Sequence, residues 1–180
     1  MNTPKEEFNL AREIFSWISI IVVAAVIALI LNTFIIANSR VPSASMENTI
    51  MTGDRVIGSR LSYLFSEPKR DDIIIFKWPD DESIYFVKRI IGLPGDIVDI
   101  REGKVYLNGS DTPLEESYIK EAMIPEADAH YEVPQGAYFC LGDNRNNSAD
   151  SRRWNNTYVY RKKIIAKVLF RYFPGLKWIR

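Results

Sequence analysis

From Ile14 to Ser39 this chain carries no charged side chain, a run of 26 residues dominated by Ile, Val, Ala, Leu and Phe. At about 1.5 Å per residue, a helix of that length exceeds the ~30 Å hydrocarbon thickness of a bilayer. Secretory leaders that are removed have apolar stretches of only about 7–15 residues. The run therefore predicts a permanent transmembrane helix over 14–39. Lys5 and Arg12 precede it, and Arg40 follows with a few more basic residues by Arg60. That bias favours an amino terminus on the cytoplasmic side. The expected organisation is a short cytoplasmic terminus at 1–13, the span at 14–39, and an extracytoplasmic domain at 40–180.

The 140 residues from Val41 onward are enough to bury about two-thirds of the surface an unfolded chain exposes. Short runs rich in Val, Ile, Tyr and Phe recur there between turn signals, the mark of β-strands. The expected strands are Asp54–Ser59, Asp72–Trp78, Ile84–Ile91, Asp96–Arg101, Lys104–Leu107, Ala137–Leu141 and Lys163–Tyr172. Glu102-Gly103 joins two of them as a hairpin, and Asn108-Gly109 closes the next run. In Gly92-Leu93-Pro94-Gly95-Asp96 both glycines are free to take angles that other residues avoid. The stretch 111–134 is acidic, irregular and punctuated by proline, so it reads as a small insertion. The fold class is mostly β, an antiparallel domain behind a single amino-terminal transmembrane helix. Cys140, the one cysteine, forms no internal disulfide and reads as a small buried hydrophobe.

Chemistry concentrates in three places. Ser45 follows the apolar run in Val41-Pro42-Ser43-Ala44-Ser45-Met46. Lys88 lies in Tyr85-Phe86-Val87-Lys88-Arg89-Ile90-Ile91-Gly92. A hydroxyl is a poor nucleophile until something takes its proton. A lysine accepts it only when neutral, and burial among apolar groups favours that form. Serine–lysine pairs are a known variant of nucleophile–base catalysis. The third place is Gly142-Asp143-Asn144-Arg145-Asn146-Asn147-Ser148-Ala149-Asp150-Ser151-Arg152, directly after a strand. It reads either as a surface loop or as a layer that orients catalytic groups, with Ser148 on a lysine amine and Asp150 on Arg152.

Other chemistries fit poorly. His130 is the only histidine, it sits in the acidic stretch, and no Gly-x-Ser-x-Gly elbow exists. A Cys140–His130 thiol pair lacks any sign of an activated thiolate. No metal site and no phosphate cradle is apparent, so no metal and no cofactor are expected. Beyond Asp150 every charged residue is Lys or Arg. That end suits either a solvated strand face or an anionic surface, and behind a membrane anchor it fits a lipid bilayer rather than nucleic acid.

Taken together, these stretches resemble bacterial type I signal peptidases, the membrane-bound serine proteases of peptidase family S26. Pro42 through Met46 looks like that family's nucleophile box, Lys88 through Asp96 like its lysine box, and Gly142 through Arg152 like its third box. The resemblance covers essentially the whole chain. It implies Ser45 as nucleophile and Lys88 as general base, with the Ser45 backbone N–H and the Ser43 hydroxyl as oxyanion hole. It further implies that Ser148 holds the Lys88 amine and that Asp150–Arg152 and Asp143–Arg89 are structural ion pairs. Val41, Ile50, Phe86 and Val87 would line shallow pockets for small substrate side chains. The implied substrates are exported preproteins, and the implied location is the bacterial cell membrane. Three departures stand out: Asn48 where proline is usual, and Asn155 and Ala166 where glycine is usual. Asn48 and Asn155 leave open an alternative, a catalytically inactive relative that serves as a membrane-tethered preprotein-binding or assembly domain, against which the intact Ser45, Lys88 and Ser148 argue.

Overall fold

The computed structural model of the chain describes residues 10–179; Lys5 and the rest of 1–9 lie outside the described residues. Helix α1 spans Leu10–Ile30 and continues through a π-helical turn, Leu31–Ile35. No glycine or proline interrupts the stretch, and Glu13 in the first turn complements the positive end of the helix dipole. The apolar span covers 24 residues, Arg12–Ile35, about 36 Å of helix, and none of it is buried against the rest of the protein.

Helix and uncharged run do not end together. The expected span reaches Ser39, but helical structure stops at Ile35, and Ile36–Arg40 forms strand β1. The reason is composition at the end of the run. Asn38 and Ser39 are uncharged without being apolar, and the Ala37 side chain is buried in the core of the β-domain. The β unit thus begins at Ile36.

The remaining strands are β2 (Arg55–Ser59), β3 (Ile73–Trp78), β4 (Asp81–Gly92), β5 (Ile97–Arg101), β6 (Lys104–Leu107), β7 (Ala129–Glu132), β8 (Ala137–Leu141), β9 (Val159–Tyr160), β10 (Ile164–Phe173) and β11 (Lys177–Trp178). The larger sheet has the order β1-β2-β10-β3-β4-β8-β9, with β11 on β10, and the smaller has the order β6-β5-β7. All pairings are antiparallel. The expected strands form within a few residues of their bounds. Strand β7 is a correction: it arises inside the stretch read as irregular. Its alternation is only four residues long, and it pairs with β5 while Tyr131 packs on Phe139 with ring centroids 4.6 Å apart.

Two turns obey the expected chemistry. Glu102 and Gly103 both have positive φ, 50° and 71°, as the two-residue hairpin between β5 and β6 requires. In the Gly92–Asp96 turn only Gly95 has positive φ, 87°. Gly92 is needed for a different reason. It ends β4 where the sheets meet, and a Cβ there would lie 2.8 Å from Val98 Cγ2 and 2.9 Å from both Phe139 Cβ and Val133 Cγ2. Those neighbours belong to a core cluster with Ile91, Ile100, Val105 and Leu141 and cannot retreat without repacking. Elsewhere, Gly58 pairs with Val168 across the sheet, and a Cβ on it would meet Ala166 Cβ at 3.0 Å. The extra methyl at 166 is accommodated by the missing one at 58.

Gly92→Ala is expected to destabilise the protein by about 1–3 kcal/mol, the usual cost of overpacking. Urea unfolding of the detergent-solubilised chain measures it.

Candidate active site

Strand β4 delivers two adjacent cations, and the pleat sends successive side chains to opposite faces. Lys88 and Arg89 therefore serve different partners although both are buried, 3% and 1% exposed. The Lys88 Nζ lies 2.7 Å from Ser45 Oγ. It also donates to the Val87 carbonyl at 3.2 Å and sits 5.1 Å from the centre of the Phe86 ring. Removal from water is the main cause that lowers its pKa, from the ordinary lysine range to about 8; the negative charges of Asp150 and Asp143 oppose that shift without reversing it. Cys140, fully buried on β8, has its thiol pushed up by burial and is no nucleophile.

Ser45 lies in a single 3₁₀ turn, Ala44–Met46, immediately after β1. The Ser43 and Ser45 hydroxyls are 3.2 Å apart and within hydrogen-bonding reach. Met46, Val41 and Ile50 plug this turn into the core below. That corrects one expectation. Ile50 is fully buried beneath the site and lines no cleft, because its amide folds back onto the Met46 carbonyl and directs the side chain downward. Val41, Phe86 and Val87 do line a cleft of about 350 Å³ that opens over Ser45 and Lys88, along with Pro42, Ile84 and Tyr85. Two strand edges flank it. β1 is the last strand of its sheet, and β4 is paired with β8 only from Arg89 onward, leaving one edge of β4 unpaired before that point.

The third sequence stretch is a buried scaffold. Arg89 makes a two-pronged ion pair with Asp143, Nε–Oδ1 2.9 Å and Nη2–Oδ2 2.7 Å, donates to the Asp71 carbonyl, and stacks 3.9 Å from the Tyr118 ring centre. Thr49 donates its hydroxyl to Asp143 as well. Arg152 pairs with Asp150 through Nε–Oδ1 and Nη2–Oδ2, both 2.8 Å, while Asp150 accepts the Gly142 amide at 3.1 Å. Such pairs hold because each charge finds a forked partner and further hydrogen bonds. Gly142 has no room for a side chain: a Cβ would lie 2.4 Å from the Ser45 carbonyl oxygen and 2.3 Å from Ser148 Oγ.

Ser148 departs from expectation. Its hydroxyl is buried but makes no hydrogen bond to the Lys88 amine, which is engaged by Ser45 and Val87 instead. Glu116, Tyr118 and Asn144 were not legible as site residues. Glu116 receives a forked pair from Arg145, and Tyr118 covers Arg89. The one available signal was charge, an acidic stretch complementing an arginine-rich loop. Of the three departures, Asn48 takes a φ of 90°, which proline cannot adopt, and ties its side chain to the Tyr118 carbonyl at 3.0 Å. Asn155 lies in an exposed turn whose amide is held by Asp80. Neither they nor Ala166 disturb the contact between Ser45 and Lys88.

Comparison with known proteins places the chain in a family. The family model described as signal peptidase, peptidase S26, matches residues 14–173. A "probable signal peptidase I-1" of Synechocystis sp. is 40% identical over 89% of this chain and 83% of its own length. The signal peptidase I of Bacillus licheniformis is 32% identical over 96% of this chain and 95% of its own. A solved signal peptidase I from Enterococcus faecalis is 32% identical, with a TM-score of 0.48 over 57% of this chain and 97% of that one. The family match runs from the apolar helix through the serine turn, the lysine strand and the buried scaffold: the chain belongs to the signal peptidase family, peptidase S26.

Proposed function

We propose that this protein is a membrane-anchored endopeptidase that removes amino-terminal signal peptides from exported preproteins, with Ser45 as nucleophile and Lys88 as general base. The observation that carries this reading is the buried 2.7 Å contact between an apolar-encased amine and a hydroxyl at the floor of an open cleft. In the reaction, neutral Lys88 takes the Ser45 proton as Oγ bonds to the scissile carbonyl carbon. The carbonyl π electrons move onto oxygen, where the Ser45 N–H and the Ser43 hydroxyl receive them. Collapse breaks the C–N bond, and the departing amine of the mature protein takes the proton from the Lys88 ammonium. A water then gives a proton to Lys88 as its oxygen bonds to the ester carbon; the Lys88 ammonium returns that proton to Ser45 Oγ as the ester C–O bond breaks, releasing the signal peptide as a carboxylic acid and restoring both residues.

An extended substrate segment fits between the two open strand edges, with backbone hydrogen bonds for affinity and shallow pockets at Val41, Phe86 and Val87 for small side chains. The exposed apolar helix supports anchorage in a bilayer, because no water-soluble arrangement covers it. We assign the amino terminus to the cytoplasm and the β-domain to the extracytoplasmic face of the bacterial cell membrane, on the basic residues before the span. The inactive-relative alternative has no observation in its favour.

Cleavage of a preprotein in proteoliposomes tests the pair. Ser45→Ala and Lys88→Ala are each expected to abolish turnover while the variants stay folded by circular dichroism; turnover by either overturns the dyad. The pH profile tests the base. With a pKa of about 8, about a tenth of Lys88 is neutral at pH 7, whereas an ordinary lysine would be neutral in fewer than about one molecule in a thousand. The rate is therefore expected to rise about tenfold per unit up to pH ~8 and then level off.

Burial also leaves a signature in stability. A lysine whose folded pKa lies below its unfolded value binds its proton more weakly in the native state. The resulting destabilisation is complete below the folded value near 8 and fades as pH rises through the ordinary lysine range. Lys88→Met is thus expected to be more stable than the parent by on the order of 1–3 kcal/mol at pH 7, with the difference shrinking toward pH 10. Thermal melts across that range measure it.

A further inference from the structure

Asn144 is 98% hidden and donates two hydrogen bonds among the described residues, both to the serine turn. Its side-chain amide donates to the Ala44 carbonyl at 3.0 Å, and its backbone N–H donates to the Ser45 carbonyl at 3.1 Å. These two carbonyls belong to the peptide groups on either side of Ser45. The first is the more telling. The Ala44 carbonyl and the Ser45 N–H are the two ends of one planar peptide unit and point in opposite directions. A donor gripping the carbonyl end fixes where the N–H end aims. It also polarises the unit, since linked hydrogen bonds strengthen one another.

Asn144 is also placed to couple both halves of the site. It follows Asp143, which is locked to Arg89, which follows Lys88. Lys88 contacts Ser45, and Ser45 is held by Asn144. The sequence Lys88, Arg89, Asp143, Asn144, Ser45 thus closes a ring of two peptide bonds and three polar contacts. Four of its links are rigid, and the fifth is the reactive contact itself.

We propose that Asn144 is a positioning residue: its side-chain amide aims the Ser45 N–H into the cleft as an oxyanion donor and sets the approach of Ser45 to Lys88. The inference rests on Ser45 being the nucleophile. Its role is to orient a donor for charge that develops only during the reaction, so it acts on kcat and not on substrate affinity.

Asn144→Leu keeps the branched shape and removes the donor, whereas Asn144→Ala removes both. Each variant of the full chain is assayed in proteoliposomes for kcat, KM, pH profile and melting temperature. Both are expected to lose about 10²-fold in kcat, in the range of a lost oxyanion donor. KM should stay within about twofold, and the midpoint near pH 8 should remain, because Lys88 stays buried. Near-parental kcat in Asn144→Leu overturns the proposal and reduces Asn144 to packing. A loss that comes with a midpoint shifted toward ordinary lysine, or with a fall in melting temperature in both variants, overturns it in favour of a general loosening of the loop. Turnover by Ser45→Ala would instead overturn the dyad, so the two failures are separable.

Discussion

An ammonium ion buried beside the Phe86 ring and the backbone of β4 is far less comfortable than one in water. Among the described residues Lys88 has no carboxylate within ion-pair distance, while the three arginines of the scaffold each have one. Arg89 has Asp143, Arg145 has Glu116, and Arg152 has Asp150. The scaffold thereby absorbs the acidic groups that would otherwise pair with the amine and fix it in its charged form. Asp143 and Asp150 still act on Lys88 at a distance, but each is already committed to a forked guanidinium. By holding those carboxylates, the arginines keep them from fixing the lysine in its protonated form.

Much of the frame was legible because it depends on local pattern. The strands announced themselves through β-branched and aromatic runs, and the Glu102-Gly103 hairpin through its turn chemistry. The approach of Ser45 to Lys88 was readable because each lies in a short, distinctive segment. What escaped shares a physical character. Asn144 acts through hydrogen bonds to main-chain carbonyls, and any sequence offers carbonyls, so no partner residue marks the contact. Ile50 was misplaced because an apolar residue beside a nucleophile can line a pocket or lie beneath it, and only the fold of the turn decides. The end of the helix was misplaced because absence of charge is a weaker requirement than apolarity.

The acidic stretch teaches a related lesson. Read alone, 111–134 looks like a solvated insertion. Its first half instead folds over the back of the site, where Glu116 and Tyr118 meet Arg145 and Arg89, and the Lys120 amide reaches the Asp143 carbonyl. Its second half supplies a strand to the smaller sheet. Asn48 clips the serine turn to the same segment. A departure from the family pattern thus serves as a clasp between two pieces of chain that are distant in sequence.

The change from helix to strand at Ile35–Ile36 leaves no linker between the apolar helix and the β-domain. Strand β1 is pinned to β2 along its length, and the serine turn follows at once. In the proposed orientation Ser45 therefore rides at a set height above the lipid. On the proposed function, a client tethered by its own apolar segment would present only one short window of backbone at that height. The anchor would then be a yardstick as well as a leash, with selection of the scissile bond shared between the pockets and plain distance from the membrane.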